Sequence, residues 1–210
     1  MEIKKSHNRL KCGLFTTQLV PLQPIPVDIW RIDLTRDRAP VLSVAEIARA
    51  NRFRFESDRE RWSRAHSALR QVLSRYTGMA PLELAFATGP HGKPFFEHCS
   101  AAHFNLSHSG DWALVAVCLA CPVGVDVERI RARVDIKALL ERLGETDLPA
   151  LRNPLFQRWA NREARSKACG GPLMTPPPSG AVAVPLDVAP GYAAAVALMG
   201  FAPAPQYRTE

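Results

Sequence analysis

Apolar and polar positions alternate first in P-V-D-I-W-R-I-D-L (26–34), the period-two pattern of a strand. Ser43 is placed to cap a short helix over 44–50. A longer helix follows, with Ser57 and Glu60 at capping-box spacing. Trp62, Ala65, Leu69, Val72, Leu73 and Tyr76 then recur at helical intervals up to Gly78, which suits a C-terminal cap. From residue 82 the pattern shortens into strands. L-E-L-A-F-A-T precedes a turn at G-P-H-G-K-P (89–94), and F-N-L-S (104–107) follows. W-A-L-V-A-V-C-L (112–119) and P-V-G-V-D-V-E (122–128) lie close enough in sequence to predict an antiparallel hairpin.

Asp135 can cap a helix running to about Leu143, and Asn153-Pro154 is a good start for another that ends at Gly170-Gly171. M-T-P-P-P-S-G is a loop, strands are expected at 181–188 and 191–199, and A-P-A-P-Q-Y-R-T-E reads as a frayed tail. The element order is α+β and is compatible with two similar halves. The expected organisation is an irregular lead-in at 1–25, an N-terminal half at 26–105, a C-terminal half at 106–202 and a tail at 203–210.

Composition narrows the class. The chain is globular in makeup, with 47% hydrophobic and 22% charged residues. Its 27 Lys and Arg outweigh 20 Asp and Glu, which favours an anionic partner. Apart from Arg49–Arg70 the basic residues are dispersed, a distribution better suited to a phosphorylated ligand or an acidic protein than to a nucleic-acid track. Five cysteines without a disulfide-framework spacing predict a reducing, cytoplasmic setting. The apolar runs at 112–125 and 193–204 contain Pro or Gly and are too short to span a bilayer.

Candidate chemistry centres on V-G-V-D-V-E. In a strand, Val123, Val125 and Val127 share one face, and Gly124, Asp126 and Glu128 share the other. Carboxylates two residues apart lie about 6–7 Å from each other. Their repulsion is roughly 2–3 kcal/mol at an effective dielectric of ~20. Such a pair either faces water or, if partly buried, needs a cation or a raised pKa. Trp159, Glu163 and Lys167 fall on one helical face, which is either an aromatic anchor beside an exposed ion pair or a third carboxylate presented with a cation. Ser107, His108 and Ser109 precede a glycine turn, where an imidazole and backbone N–H groups can bind phosphate. A Ser–His catalytic dyad is disfavoured, because strand neighbours point to opposite faces and no nucleophile elbow is present. Lys93, Arg49, Arg52, Arg61 and Arg70 are candidate anion ligands or ordinary surface charges. Cys118-x-x-Cys121 with His98, Cys99 and His103 holds the raw ligands for zinc, but at irregular spacing.

Four segments in order carry a resemblance to a known family: R-F-R-F-E-S-D-R-E-R (52–61), G-P-H-G-K-P (89–94), F-N-L-S-H-S-G-D-W (104–112) with V-G-V-D-V-E (123–128), and W-A-N-R-E-A-R-S-K (159–167). Over roughly residues 26–200 the chain resembles the Sfp-type 4′-phosphopantetheinyl transferases. The resemblance implies two pseudo-symmetric α+β halves with the active site between them. It implies transfer of the phosphopantetheine arm of coenzyme A to a serine of an apo acyl or peptidyl carrier protein, with release of 3′,5′-ADP. Asp126, Glu128 and Glu163 are then expected to ligate Mg²⁺, and Glu163 to help deprotonate the serine. Lys167 is expected to stabilise the pyrophosphate, with Asp126, Glu163 and Lys167 as the catalytic set. Arg49, Arg61, Lys93, Ser107, His108 and Lys167 are expected to contact coenzyme A. A monomer without nucleic-acid or membrane partners is implied. The competing readings are an inactive homologue that binds coenzyme A or a carrier, and a basic zinc or nucleic-acid module. The sequence departs from the family in Arg162 where Lys is usual, in a short 129–158 segment, and in Pro172 after the final glycines.

Overall fold

A computed structural model describes residues 24–98, 102–131, 152–171 and 180–209. The elements run β1 (Pro24–Asp33), α1 (Val44–Ala50), α2 (Glu56–Thr77), β2 (Phe86–Thr88), β3 (Pro94–Phe96), β4 (His103–Ser109), β5 (Trp112–Cys118) and β6 (Val123–Arg129). They continue with α3 (Arg152–Cys169), β7 (Ala181–Leu186), β8 (Tyr192–Met199) and β9 (Ala202–Arg208). One sheet has the order β4-β5-β1-β9, another β6-β8-β7, and β2-β3 forms a small hairpin. The α+β class and the two related halves are both present. Each half is a strand, a long helix and a hairpin, and the hairpin's second strand pairs with the first strand: β5 with β1, and β8 with β6.

The division at 105/106 falls inside β4, and β5 pairs with β1. The hairpin expected between 112–119 and 122–128 does not form. Gly110-Asp111 makes the tight turn instead, joining β4 to β5 with Ser109 opposite Trp112, and Gly110 supplies the positive φ of 58°. With β4 on one edge and β1 on the other, β5 has no edge left, so β6 starts the second sheet. The two faces of β5 feed different cores. Ala113, Val115 and Val117 pack under α2, whereas Leu114, Ala116 and Cys118 pack against the valine face of β6. Cys118 therefore fills the core as a small hydrophobe, with its Sγ 4.0 Å from that of Cys121.

Local signals explain the helices, with one shift. α2 buries Trp62, Ala65, Leu69, Val72 and Leu73, and ends where Gly78 turns left-handed and donates its N–H to Ser74 O. The expected Ser57–Glu60 capping box is absent, because the helix starts at Glu56 with Phe55 as an N-cap that makes no side-chain bond. A capping box forms at α1 instead: Ser43 Oγ accepts from Glu46 N, and Glu46 Oε2 accepts from Ser43 N. Of the strand expected at 82–88 only 86–88 is extended, since Glu83 N bonds Ala80 O in a turn.

The expected tail is a strand. Residues 202–208 pair in parallel with β1, Pro24 opposite Ala202 and Trp30 opposite Arg208. Pro203 and Pro205 are two apart on an edge strand, so their missing N–H groups fall on the same, open side. Arg208 bonds Asp28 at 2.8 Å, and Tyr207 Oη accepts from Asp187 N at 2.8 Å, which fastens both sides of the strand. The lead-in at 1–25, except for Pro24 and Ile25, lies outside the described residues. So do the helix expected at 135–143 and Pro172.

Glu46 links the capping box to the interior. Its carboxylate takes Arg70 Nε at 2.6 Å, and Arg70, only 3% exposed, also donates to Pro81 O and Leu84 O. Arg70, a candidate anion ligand on sequence, is thus committed to the fold. Burial pushes the Glu46 carboxyl up, but His66 with its Nδ1 3.7 Å away and hydrogen bonds from Arg70 and the Ser43 N–H outweigh it and bring the pKa from 4.5 down to about 2. A pKa depressed by folding gives stability that is complete above the unfolded value and is lost as pH falls through the folded one. Between pH 6 and pH 3 the protein should therefore lose about 2 kcal/mol through this carboxylate. Urea unfolding of Glu46→Gln should lack that part of the acid slope, and parallel slopes for the two proteins would contradict the assignment.

Candidate active site

The site begins with what β6 places on its two faces. Val123, Val125 and Val127 pack into the core with Leu114, Val196 and Leu198. Gly124, Asp126 and Glu128 face α3, whose contact surface is Ala160, Ala164 and Ala168 over Ala195 and Ala197. Every side chain in that contact is small, so helix and strand approach until backbone meets backbone. A Cβ on Gly124 would lie 2.1 Å from Ala164 O and 2.3 Å from Ala168 N. This is the close approach that glycine alone permits.

The close approach brings the next helical face down onto the acids. Lys167 Nζ donates to Asp126 Oδ1 at 2.6 Å and to Ser107 Oγ at 3.1 Å. Asp126 and Glu163 are 3% and 4% exposed, so both are interior carboxylates rather than surface ones. Asp126 Oδ2 and Glu163 Oε1 have no hydrogen-bond partner among the described residues. Glu128 takes Ser109 Oγ at 3.2 Å, and the nearby Trp159 side chain favours its ionised form. Burial, reinforced by the Asp126 charge, pushes the Glu163 carboxyl up to about 7, and the same two causes raise Glu128.

Three carboxylates with one ammonium among them form a cluster short of positive charge. Among the described residues no three acid, His or Cys side chains yet converge at metal-ligand distances. Lys167 sits on Asp126 instead. The donor set nevertheless suits a divalent cation of the Mg²⁺ type: hard carboxylate oxygens, two of them buried and unpaired, which such an ion would satisfy.

Other sequence candidates divide around this cluster. His108 and Ser107 point to opposite faces of β4, Ser107 buried over the acids and His108 open to solvent. His108 borders a cleft of about 560 Å³ with Phe53, Arg61, Ser109, Arg129 and Arg131. It also borders a second cleft of about 650 Å³ with Arg49, Trp62, His66, Gly92 and Pro94. The residue is exposed at its surface, but the cleft walls desolvate the imidazole and, with the charges of His66 and Lys167 nearby, lower its pKa to about 4. Arg61 Nη2 is 3.3 Å from Asp111 Oδ1, and the Arg49 guanidinium lies over the Trp62 ring at 5.9 Å.

Lys93 is tied into the fold. Its Nζ donates to Val123 O at 2.8 Å and Lys167 O at 2.7 Å, tying the G-P-H-G-K-P turn to the start of β6 and the end of α3. Burial lowers its amine to about 8. Sequence reasoning missed the tight fit at Gly124, and it also missed Asn105, whose Oδ1 accepts from Val125 N at 2.8 Å. The signal for Asn105 was present in the alternation N-x-S-x-S along an otherwise buried strand.

Fold and site together mark an enzyme-like cluster of acids and a lysine between two related α+β halves. A family profile described as 4′-phosphopantetheinyl transferase, N-terminal, matches residues 35–120. The chain is 35% identical over 162 residues to the 4′-phosphopantetheinyl transferase HetI of Nostoc sp., covering 69% of this chain and 68% of that protein. It is also 35% identical over 140 residues to the transferase psf-1 of Bacillus pumilus, covering 62% and 59%. A third relative, the transferase Sfp of Bacillus subtilis, is 32% identical over 83 residues, 40% of this chain and 37% of Sfp. The chain belongs to the 4′-phosphopantetheinyl transferase family. It spans about three fifths to two thirds of the length of the first two relatives.

Gly124→Ala tests the close approach. The clash is with backbone of α3, so the helix must lift. The variant should lose roughly 2 kcal/mol or more of stability, as overpacked interiors do. It should also lose transferase activity at temperatures where it remains folded. Wild-type activity in Gly124→Ala would mean that α3 does not rest on β6 as described.

Proposed function

We propose that the protein transfers the 4′-phosphopantetheine arm of coenzyme A to a serine hydroxyl of an apo acyl or peptidyl carrier protein, with Mg²⁺, releasing 3′,5′-ADP. The observation that carries the reading is the pair of buried oxygens without a partner among the described residues, Asp126 Oδ2 and Glu163 Oε1, beside Lys167, with Ser109 linking the neighbouring Glu128 to an arginine-lined cleft. Membership of the family supports the same reading.

In this proposal Asp126, Glu128 and Glu163 hold the Mg²⁺. The bound ion would neutralise charge on the pyrophosphate and make its phosphorus attackable by a neutral hydroxyl. Arg49, Arg61 and His108 line the clefts and hold the phosphates, His108 as a neutral hydrogen-bonding ring. The serine oxygen attacks phosphorus, the bond to the departing ADP phosphate breaks, and Glu163 takes the serine proton directly or through water. Lys167 leaves Asp126 for the pyrophosphate and stabilises the leaving group. Lys93 and Ser107, expected as further coenzyme A contacts, act here chiefly by holding the site, since their polar atoms already bond protein groups. Among the described residues no helix is long and apolar enough to cross a membrane.

The test is incubation with a fluorescent coenzyme A, Mg²⁺ and several apo carriers. Label should appear on the carrier serine and disappear with EDTA. Asp126→Ala should abolish labelling while keeping the fold, and Glu163→Gln should lower kcat roughly 10²- to 10⁴-fold. A wild type that binds the coenzyme but labels no carrier would leave an inactive binder as the better description. Full activity in Asp126→Ala would remove the metal assignment.

A further inference from the structure

β6 pairs with β8 on one edge and, among the described residues, with no strand on the other. Its N–H groups at 125, 127 and 129 point off that second edge. Left unpaired and buried, each would cost about 1–3 kcal/mol. They are not unpaired. Val125 N donates to Asn105 Oδ1 at 2.8 Å, Val127 N to Ser107 Oγ at 3.3 Å, and Arg129 N to Ser109 Oγ at 3.1 Å. The partners are alternate side chains of β4, and the offset is twenty residues at every rung. The two strands therefore run in the same direction, in register, through side chains instead of a backbone ladder.

The rungs bracket the acids. Asp126 sits between the anchored amides of 125 and 127, and Glu128 between those of 127 and 129. The two serines repeat one further contact. Each accepts from the amide that follows an acid, and its hydroxyl donates to that acid: Ser107 Oγ to Asp126 Oδ1 at 3.0 Å, Ser109 Oγ to Glu128 Oε2 at 3.2 Å. Ser107 Oγ also accepts from Lys167. All three β4 residues are at most 9% exposed, so water does not compete for these bonds. The remaining position on the acid face of β6 is Gly124, where α3 leaves no room for a side chain.

We infer that Asn105, Ser107 and Ser109 are positioning residues: a side-chain ladder from the first half that fixes where the second half presents Asp126 and Glu128. This rests on the proposed metal-binding role of the two acids. The ladder has a mechanistic consequence. It crosses from one half to the other, so a shift of β4 relative to β6 would move both carboxylates together. Asn105 touches neither carboxylate in the described bonds, so its effect on the acids passes through the β6 backbone alone.

The test compares Ser109→Ala, Ser109→Thr and Asn105→Ala with wild type. Mn²⁺ affinity is read by electron paramagnetic resonance with coenzyme A present, alongside kcat, carrier KM and Tm. Ser109→Ala should weaken Mn²⁺ about tenfold and lower kcat, while carrier KM stays within about twofold. Ser109→Thr keeps the hydroxyl and should restore Mn²⁺ affinity to within about threefold of wild type. Asn105→Ala, measured well below its Tm, should also weaken Mn²⁺ by at least about threefold. Asn105→Ala that lowers Tm but leaves Mn²⁺ affinity and kcat unchanged would reduce the ladder to a folding device and overturn the inference. Ser109→Thr as impaired as Ser109→Ala would overturn it too. If wild type binds Mn²⁺ yet labels no carrier, the proposed function fails and the affinity comparison still decides the ladder. A wild type that binds no Mn²⁺ overturns both.

Discussion

The site exists because a helix can touch a strand. Backbone contact at Gly124 sets the height of α3 over β6, and the alanines at 160, 164, 168, 195 and 197 keep the rest of that contact thin. At an ordinary helix–sheet spacing of ~10 Å, a lysine two turns along would reach solvent or a neighbouring acid. At the spacing found here, Lys167 and Glu163 are pressed into the plane of Asp126 and Glu128. Small residues are usually counted as lost hydrophobic area, and in this interface their smallness is the functional property.

The same closeness creates an electrostatic problem that a cation or protonation must relieve. Burying carboxylates is unfavourable, and burying three together is more so. The protein supplies Lys167 to Asp126 and serine hydroxyls to Asp126 and Glu128. Glu163 receives less and drifts toward neutrality. Such a cluster is poised toward charge: it gains stability from any positive species that reaches it, and the arginines of the neighbouring clefts gain from an anion arriving with it. The two deficits are complementary, as a metal-bound pyrophosphate requires.

Much of this was legible along the chain, and what was not has a physical pattern. Period two put Asp126 beside Glu128, and the helical period put Glu163 beside Lys167, because both rules are local. Pairing is not local. The hairpin assigned to β5 and β6 looked natural until Gly110-Asp111 proved to be the tighter turn, closing β4 onto β5. The proline-rich C-terminal strand looked unpaired because the partners that hold it, β1 and Asp28, lie some 180 residues away. Lys93 and Arg70 carried the right charge for an anion site but were committed to carbonyls and to Glu46, commitments that only the fold reveals. Gly124 read as one more strand residue, since the atom it leaves room for belongs to another element.

The most direct measurement is a crystal structure of the protein with coenzyme A and Mn²⁺, with the metal located by anomalous scattering. The expected result is one peak about 2.0–2.3 Å from oxygens of Asp126, Glu128 and Glu163, with Lys167 Nζ moved from Asp126 Oδ1 to a phosphate oxygen. A metal bound elsewhere, or Lys167 still on Asp126 with the coenzyme in place, would contradict the assignment of this cluster as the catalytic centre.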